Sequence, residues 1–143
     1  MEGKGRITGH TGLLALIGSP VGHSGSPAMY NYSFEKLGLD YAYVAFDIKV
    51  EEVKAALDAM RLFHMRGCNV TMPCKTEAAK YMDELSPAAR IIGAVNTIVN
   101  EDGKLIGHMT DGEGFVGNLR DHGIEIKGKK ITVAGGGGAA TAI

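Results

Sequence analysis

The chain has 143 residues, enough for one ordinary domain core and too few for two full ones. Its hydrophobic content of 45% and net charge of -1 exclude a disordered chain and a general nucleic-acid-binding surface. The first apolar run, Leu13 to Ile17, is far too short for a membrane span or a signal peptide. We therefore expect a cytoplasmic protein with neither a membrane nor a nucleic-acid partner.

Strand and helix patterns alternate through the first half of the chain. The continuous apolar run from Leu13 to Ile17 is typical of a strand buried on both faces. Ser26-Pro27 then predicts a helix start, with the serine hydroxyl at the N-cap, and Gly38 predicts its end. Alternation predicts a second strand over Tyr41 to Asp47, and apolar residues at helical spacing predict a helix over Glu51 to Arg61.

The third strand, from about Gly67 to Thr71, precedes a helical pattern that we assign to Lys75 through Leu85. Ser86-Pro87 repeats the helix-start pattern of Ser26-Pro27. Two further strands, Ala94 to Asn100 and Lys104 to His108, flank Asp102-Gly103 and predict an antiparallel hairpin.

Thr110-Asp111-Gly112 begins a last helix of this region, which Gly123 ends. Ile131 to Ala134 then predicts a new buried strand that runs into the glycine-rich stretch Gly135 to Ala140. A glycine run directly after a strand is typical of a dinucleotide phosphate loop, but such a unit needs about 30 residues. We therefore expect a truncated unit and a longer parent protein.

The order of elements predicts the α/β class. We expect a three-layer αβα arrangement, in which a mainly parallel sheet with one antiparallel strand lies between helices. Polar side chains cluster at or just beyond the predicted strand ends: Ser24, Ser26, Asn69, Thr71, Lys75, Asn96 and Asp111. Ligand sites in such sheets lie at the carboxyl ends of strands. Plain alternatives are a capping role for Ser26 or Asp111 and a structural amide at Asn96. The convergence of these seven polar side chains on predicted strand ends favours one site for a small polyhydroxylated acid.

The two cysteines, Cys68 and Cys74, match no zinc-ligand spacing with His64, so we expect no metal. Reduced thiols in or near the core are the simplest interpretation.

Four motifs together resemble the shikimate and quinate dehydrogenases, and the resemblance covers about residues 13 to 143. They are His23-Ser24-x-Ser26-Pro27, Asn69-Val70-Thr71-Met72-Pro73-x-Lys75, Gly93-Ala94-Val95-Asn96-Thr97 and Thr110-Asp111-Gly112. The stretch from Gly135 to Ala140 is similar to the cofactor loop of that family.

The resemblance implies a substrate-binding N-terminal domain and a C-terminal Rossmann domain that binds NADP or sometimes NAD. On this division, residues 1–12 are a flexible N-terminus and residues 13–110 the substrate-binding domain. Residues 111–123 form an interdomain helix, and residues 124–143 the truncated start of the Rossmann domain.

The same resemblance implies a role for each matching position. Ser24 and Ser26 would bind the substrate carboxylate, while four side chains would hold the ring hydroxyls: Asn69, Thr71, Asn96 and Asp111. Lys75, itself in contact with substrate, and Asp111 would form the catalytic pair, because oxidation of a secondary alcohol needs a proton acceptor. The cofactor would lie on Gly135, Gly136, Gly137, Gly138 and Ala139.

Three positions depart from the family pattern. Met109 stands where an asparagine is common, Cys74 replaces a larger residue, and Gly25 separates the two serines. The expected activity is NADP-linked interconversion of 3-dehydroshikimate and shikimate, with this chain as an inactive substrate-binding part. Alternatives are quinate as substrate, a non-catalytic binding module, and a related dehydrogenase for a folate or amino acid. A homodimer is compatible with the sequence.

Overall fold

The structure is a computed structural model of the chain and describes residues 7–136 and 138–143. Residues 1–6, which belong to the predicted flexible N-terminus, lie outside the described residues. Gly137, the third glycine of the predicted cofactor loop, lies outside them as well.

A six-stranded sheet forms the centre of the fold, in the order β2-β1-β3-β5-β6-β4. Its strands are β1 (Gly12–Gly18), β2 (Tyr41–Asp47), β3 (Gly67–Val70), β4 (Glu84–Leu85), β5 (Thr97–Glu101) and β6 (Lys104–His108). Strand β5 runs antiparallel to both of its neighbours, and the other neighbouring pairs are parallel. The predicted mainly parallel sheet with one antiparallel strand is therefore confirmed.

Helices connect the strands and cover both faces of the sheet. They are α1 (Ser26–Leu37), α2 (Val53–Leu62), α3 (Lys75–Ala79), α4 (Pro87–Ile92), α5 (Asp111–Asp121) and α6 (Gly138–Ala142), with a 3-10 turn at Val50–Glu52. Within the described ranges, each helix is too short or too polar to cross a membrane.

The main core lies between one face of the sheet and α2, α3 and α4. The predicted inner stripe of α2, Val53, Leu57 and Met60, is at most 2% exposed. Helix α1 covers the opposite face over β1 and β2, where Tyr43 packs against Tyr30 with ring centroids 4.5 Å apart. Helices on both faces of the sheet give the predicted three layers.

Both cysteines are free and buried, which confirms their assignment as reduced core thiols. Cys68 lies on the core face of β3, and burial raises its pKa to about 12. The thiol of Cys74 contacts the Ile48 carbonyl oxygen at 3.6 Å, and burial raises its pKa as well. Neither thiol is available as a nucleophile near neutral pH.

The helix predicted from Lys75 to Leu85 is wrong in its second half. Helix α3 ends at Ala79, and Glu84–Leu85 instead forms strand β4 alongside β6. The Asp83 carboxylate accepts the Leu105 N–H at 2.7 Å, which fixes the start of this strand. Sheet pairing thus overrides the helical spacing of the side chains.

The two Ser-Pro pairs behave differently. Ser86 caps α4 as predicted, since its Oγ accepts the Ala89 N–H at 3.3 Å. The N-cap assigned to Ser26 is wrong, because Gly25 is the N-cap of α1 and Ser26 is already helical. Ser24 Oγ instead accepts the Ser26 N–H at 3.2 Å, so the local turn moves the helix start by one residue.

The buried strand predicted over Ile131 to Ala134 is also wrong. The segment has no regular structure, and Ile131 and Val133 are 65% and 57% exposed. A strand is stable only when a neighbour pairs its backbone N–H and C=O groups, and none of the six strands pairs with this segment.

Candidate functional site

The sheet topology brings the predicted polar residues to one edge. Strands β1, β3 and β6 run in the same direction, so their carboxyl ends meet there. Because β5 runs in the opposite direction, the residues before it reach the same edge. The loops after β1, β3 and β6 and the segment before β5 therefore surround one crevice.

Lys75 and Asp111 form an ion pair across this crevice. Lys75 is the first residue of α3 and Asp111 the first of α5. Their Nζ and Oδ2 atoms are 2.6 Å apart although 36 positions separate the residues along the chain. The side chains are 28% and 36% exposed, so both heads are partly shielded but still reach solvent. The N-terminus of α5 further stabilises the carboxylate.

Asn96 holds the second oxygen of this carboxylate. Its Nδ2 donates to Asp111 Oδ1 at 2.6 Å, and its Oδ1 accepts the Thr110 N–H at 3.0 Å. Its backbone carbonyl accepts the Val70 N–H at 2.8 Å, and its backbone N–H donates to the His108 carbonyl oxygen at 2.9 Å. Asn96 was predicted inside a strand, which is wrong: β5 begins at Thr97, and Asn96 lies just before it.

A cavity of about 440 Å³ opens beside the ion pair. Its lining combines polar groups with a mainly apolar wall: Thr71, Met72, Pro73, Lys75, Thr76, Ile92, Ala94, Met109, Asp111 and Thr141. The Lys75 ammonium has three N–H donors, and Asp111 is its partner within the described part of the chain. Two donors remain for a ligand in a cavity of the size that small molecules occupy.

Thr71 lines the cavity, and hydrogen bonds join the end of β1 to the segment after β3 beside it. The Thr71 N–H donates to the Ile17 carbonyl at 2.9 Å, and the Ser19 N–H donates to Met72 at 2.9 Å. The structure thus brings Thr71, Lys75 and Asp111 together in one cavity wall.

Asn69 does not line this cavity, and its amide is committed to protein partners. Its Oδ1 accepts the Tyr43 hydroxyl at 2.8 Å, and its Nδ2 donates to Thr97 Oγ1 at 3.2 Å. Burial and the neighbouring Tyr30 raise the pKa of Tyr43 well above its ordinary value, so its hydroxyl stays a donor. Asn69 therefore connects β2, β3 and β5.

Ser24 lies in the loop between β1 and α1, Ser26 is the first residue of α1, and both are half-buried. This loop is at the same sheet edge, but the two serines are not among the residues that line the cavity beside Lys75. The hydrogen bond from Ser26 N–H to Ser24 Oγ keeps the two residues together.

Two residues of this region were not predicted from the sequence. Thr110 donates its N–H to Asn96, and the Tyr43 hydroxyl orients Asn69. Thr110 belongs to the motif Thr110-Asp111-Gly112, and this motif is a sequence signal for a residue of the site. Tyr43 is inward-facing by strand alternation, but its polar partner is evident only from the tertiary structure.

The glycine-rich stretch fits a phosphate group at the positions that the structure describes. Gly135 has a φ angle of 112°, a conformation that favours glycine, and an added Cβ at Gly135 or Gly136 would meet open space. A bare, exposed backbone of this kind lets phosphate oxygens approach N–H groups closely. Gly138 and Ala139 begin α6 immediately afterwards.

A different cavity, of about 350 Å³, lies beneath α2 and has an apolar lining that includes Leu57, Met60 and Phe63. It offers no carboxylate, ammonium or amide side chain to a hydroxylated acid. The crevice at Lys75 is the better candidate site for that chemistry.

Comparison with known proteins shows which family the chain resembles. The family model described as shikimate dehydrogenase substrate binding domain matches residues 16–98. The shikimate dehydrogenase (NADP(+)) of Listeria monocytogenes serotype 4b is 55% identical over 138 residues, which cover 96% of this chain and 47% of the relative. The corresponding Streptococcus uberis protein is 53% identical over 140 residues, covering 96% of this chain and 48% of the relative.

Solved structures show the same similarity. Shikimate 5-dehydrogenase from Listeria monocytogenes, in complex with shikimate and NAD, superposes with a TM-score of 0.93 at 54% identity. That match covers 96% of this chain and 48% of the other. The Thermus thermophilus enzyme in complex with NADP(H) and shikimate gives a TM-score of 0.87 at 41% identity, over 93% of this chain and 50% of the other.

The chain spans about half the length of the curated relatives that it matches. The family match covers more than half of the chain and includes β3, Lys75 and Asn96, while β6 and Asp111 lie beyond it. The chain therefore belongs to the family of the shikimate dehydrogenase substrate binding domain.

Proposed function

We propose that this chain is the substrate-binding half of an NADP-dependent shikimate dehydrogenase. The ion pair between Lys75 and Asp111, which opens on a cavity of about 440 Å³, is the observation that carries the proposal. On this proposal the chain alone binds shikimate or 3-dehydroshikimate weakly and turns neither over, because residues 124–143 only begin the proposed cofactor domain.

The arrangement supports a division of labour among the polar residues. Thr71 and Lys75 line the cavity together with Asp111, which supports the proposal that they hold ring hydroxyls. Asn96 fixes Asp111 and supports the site in this way, because its amide N–H groups donate to Asp111 and to the Thr110 hydroxyl. Ser24 and Ser26 remain our proposed contacts of the substrate carboxylate. Asn69, whose amide is already paired, supports the site through β5 rather than through the cavity.

Oxidation of a secondary alcohol removes a hydride from carbon and a proton from the hydroxyl. NADP, when bound, accepts the hydride. On this chain, the Lys75 and Asp111 pair takes up the hydroxyl proton, and Asn96 holds Asp111 in the orientation that this transfer needs. In the reverse direction the same pair returns the proton to the carbonyl oxygen.

The glycine-rich stretch supports a place for the dinucleotide. The exposed backbone of Gly135 and Gly136, followed by α6, suits a pyrophosphate group. We propose that residues 13–110 form the substrate-binding domain, that residues 111–123 connect it to the next, and that residues 124–143 begin the cofactor domain. The cytoplasmic location, the homodimer, and the choice between shikimate and quinate and between NADP and NAD stay predictions.

Calorimetric titration of the 143-residue chain with shikimate and with quinate tests the proposal. Lys75→Ala and Asp111→Ala should each weaken binding of the preferred acid about 10–100-fold, since each removes a charge-assisted hydrogen bond of about 1.5–3 kcal/mol. Lys80→Ala is the matched control, because Lys80 lies one turn further on, is 61% exposed and pairs with Glu77 outside the cavity.

A chain that binds neither acid, or that binds equally well with alanine at position 75 and at position 80, would contradict the proposal. Binding of shikimate with turnover by the isolated chain would contradict the assignment of an inactive half. Adding NADPH and 3-dehydroshikimate to the chain and following absorbance decides that second point.

A further inference from the structure

Helix α6 packs directly against the first turn of α5, and Gly112 is the point of contact. A Cβ built on Gly112 would overlap the carbonyl oxygen of Ala142 and would lie 3.2 Å from its carbonyl carbon. Backbone does not yield to such a contact as the end of a flexible side chain does. Any residue other than glycine at position 112 must therefore push α5 and α6 apart.

The need for glycine here is steric and not conformational. Gly112 lies inside α5, and its φ angle is not in the left-handed region. Gly114 and Gly117 lie in the same helix, yet a Cβ at either position would meet open space. Of these glycines in α5, Gly112 is the one that the packing of another element requires.

The contact lies at the candidate site itself. Gly112 follows Asp111, whose carboxylate pairs with Lys75. On the other side, Ala142 is 7% exposed and belongs to the main core, and Thr141 lines the same cavity as Lys75. Helix α6 is thus a wall of the crevice, held there by the bare backbone of Gly112.

The last residues of the glycine-rich stretch, from Gly138 to Ala140, themselves lie in α6. The position of α6 therefore determines how far that stretch lies from the Lys75 and Asp111 pair. Hydride transfer depends steeply on such a distance, because a misplacement of about 1 Å can cost on the order of 100-fold in rate.

We propose that Gly112 is a positioning residue for hydride transfer. Because Gly112 has no side chain, α6 packs closely against α5. This contact sets the distance between the glycine-rich stretch and the Lys75–Asp111 pair. This inference rests on the proposed function of the crevice and of the glycine-rich stretch. Gly112 touches neither substrate nor cofactor and acts through α6.

The seating contact is tested first on the 143-residue chain, without any activity. Hydrogen exchange is measured in Gly112→Ala, with Gly114→Ala as the matched control. In the first variant the amides of residues 140–142 should exchange about tenfold faster, because α6 loses its close contact with α5. In the second variant they should exchange as in the parent chain. Shikimate affinity, measured by calorimetry, should stay within about threefold in both, since the Lys75 and Asp111 pair is intact.

The consequence for hydride transfer is tested in a fusion of this chain to the second half of the Listeria monocytogenes relative. Gly112→Ala should raise KM for NADP and lower kcat, each by about tenfold or more, with KM for shikimate changed less than threefold. Gly114→Ala should leave all three constants near those of the parent fusion. A structural role alone would reduce the amount of folded enzyme and leave both KM values unchanged.

Equal exchange rates at residues 140–142 in the two variants would overturn the proposal, as would a Gly112→Ala fusion with the kinetics of the Gly114→Ala fusion. Failure of the proposed function gives a different result. In that case the unsubstituted chain and fusion neither bind nor oxidise shikimate, while the exchange measurement still decides whether Gly112 seats α6.

Discussion

At the scale of single residues, Asp111 has both carboxylate oxygens occupied by side chains from other elements. Lys75 Nζ lies 2.6 Å from Oδ2, and Asn96 Nδ2 lies 2.6 Å from Oδ1. The carboxylate is therefore fixed in orientation before any ligand arrives. Such preorganisation favours proton transfer, because the groups need not reorient during the reaction.

Replacement of Asn96 tests this clamp. Asn96→Ala removes the amide donor to Asp111 and the acceptor for the Thr110 N–H, so we expect the free energy of unfolding to fall by about 1–3 kcal/mol. Urea unfolding of the chain measures the loss. Asn118→Ala, on the exposed side of α5, should change stability by less than about 0.5 kcal/mol. Equal effects of the two substitutions would show that the clamp contributes nothing.

At the scale of elements, a carboxylate holds the short strand β4 in place in addition to its pairing with β6. Asp83 accepts the Leu105 N–H at 2.7 Å and a guanidinium N–H of Arg61 at 3.0 Å. These two bonds join the turn before β4 to β6 and to α2.

The pH dependence of stability should report this carboxylate. The Leu105 N–H and then Arg61 lower the pKa of Asp83 below its ordinary value of 3.8. A lowered folded-state pKa stabilises the fold above the unfolded-state pKa, and the contribution is lost as pH falls through the folded-state pKa. At pH 7, Asp83→Asn should therefore be about 1 kcal/mol less stable than the parent chain.

That difference should begin to shrink as the pH falls below about 4 and should disappear below the folded-state pKa, where both chains carry a neutral side chain at position 83. Thermal unfolding of the two chains between pH 7 and pH 3 measures it. Asp58→Asn is the control, since Asp58 is 56% exposed and forms surface ion pairs worth little. A difference between parent and Asp83→Asn that is constant with pH would contradict the assignment.

At the scale of the whole molecule, the chain divides into a packed sheet with its helices and an exposed segment over residues 124–136. The segment has no regular structure and is almost entirely exposed, whereas α6 beyond it returns to the core through Ala142. Beyond this exposed segment, α6 contacts α5 at Gly112 and lines the crevice through Thr141.

Limited proteolysis should follow this division. Trypsin is expected to cut first at Lys127, Lys129 or Lys130, where exposed backbone without regular structure fits the protease. Lys54 is a suitable internal comparison, because its side chain is 63% exposed but its backbone is helical and must open locally before cleavage. Mass spectrometry of early digests identifies the first cut. Cleavage after Lys54 as fast as after Lys129 would contradict the division.

Much of the architecture was predictable, because the relevant signals are local. The apolar run of β1, the hairpin at Asp102-Gly103 and the helix start at Ser86-Pro87 each follow from residues close together in the chain. The prediction failed at β4 and at residues 131–134, where pairing with a distant strand, or its absence, decides the outcome. Helical spacing in one stretch does not report a neighbouring strand elsewhere in the chain.

The sequence by itself determined which chemical groups are present and that most of them follow strand ends, because strand period and turn residues are encoded locally. Only the tertiary structure decided which groups meet. It paired Lys75 with Asp111, gave the Asn69 amide to Tyr43 and Thr97, and set α6 against Gly112. These choices depend on strand order and on close approach between elements, which are properties of the packed sheet and not of any single segment.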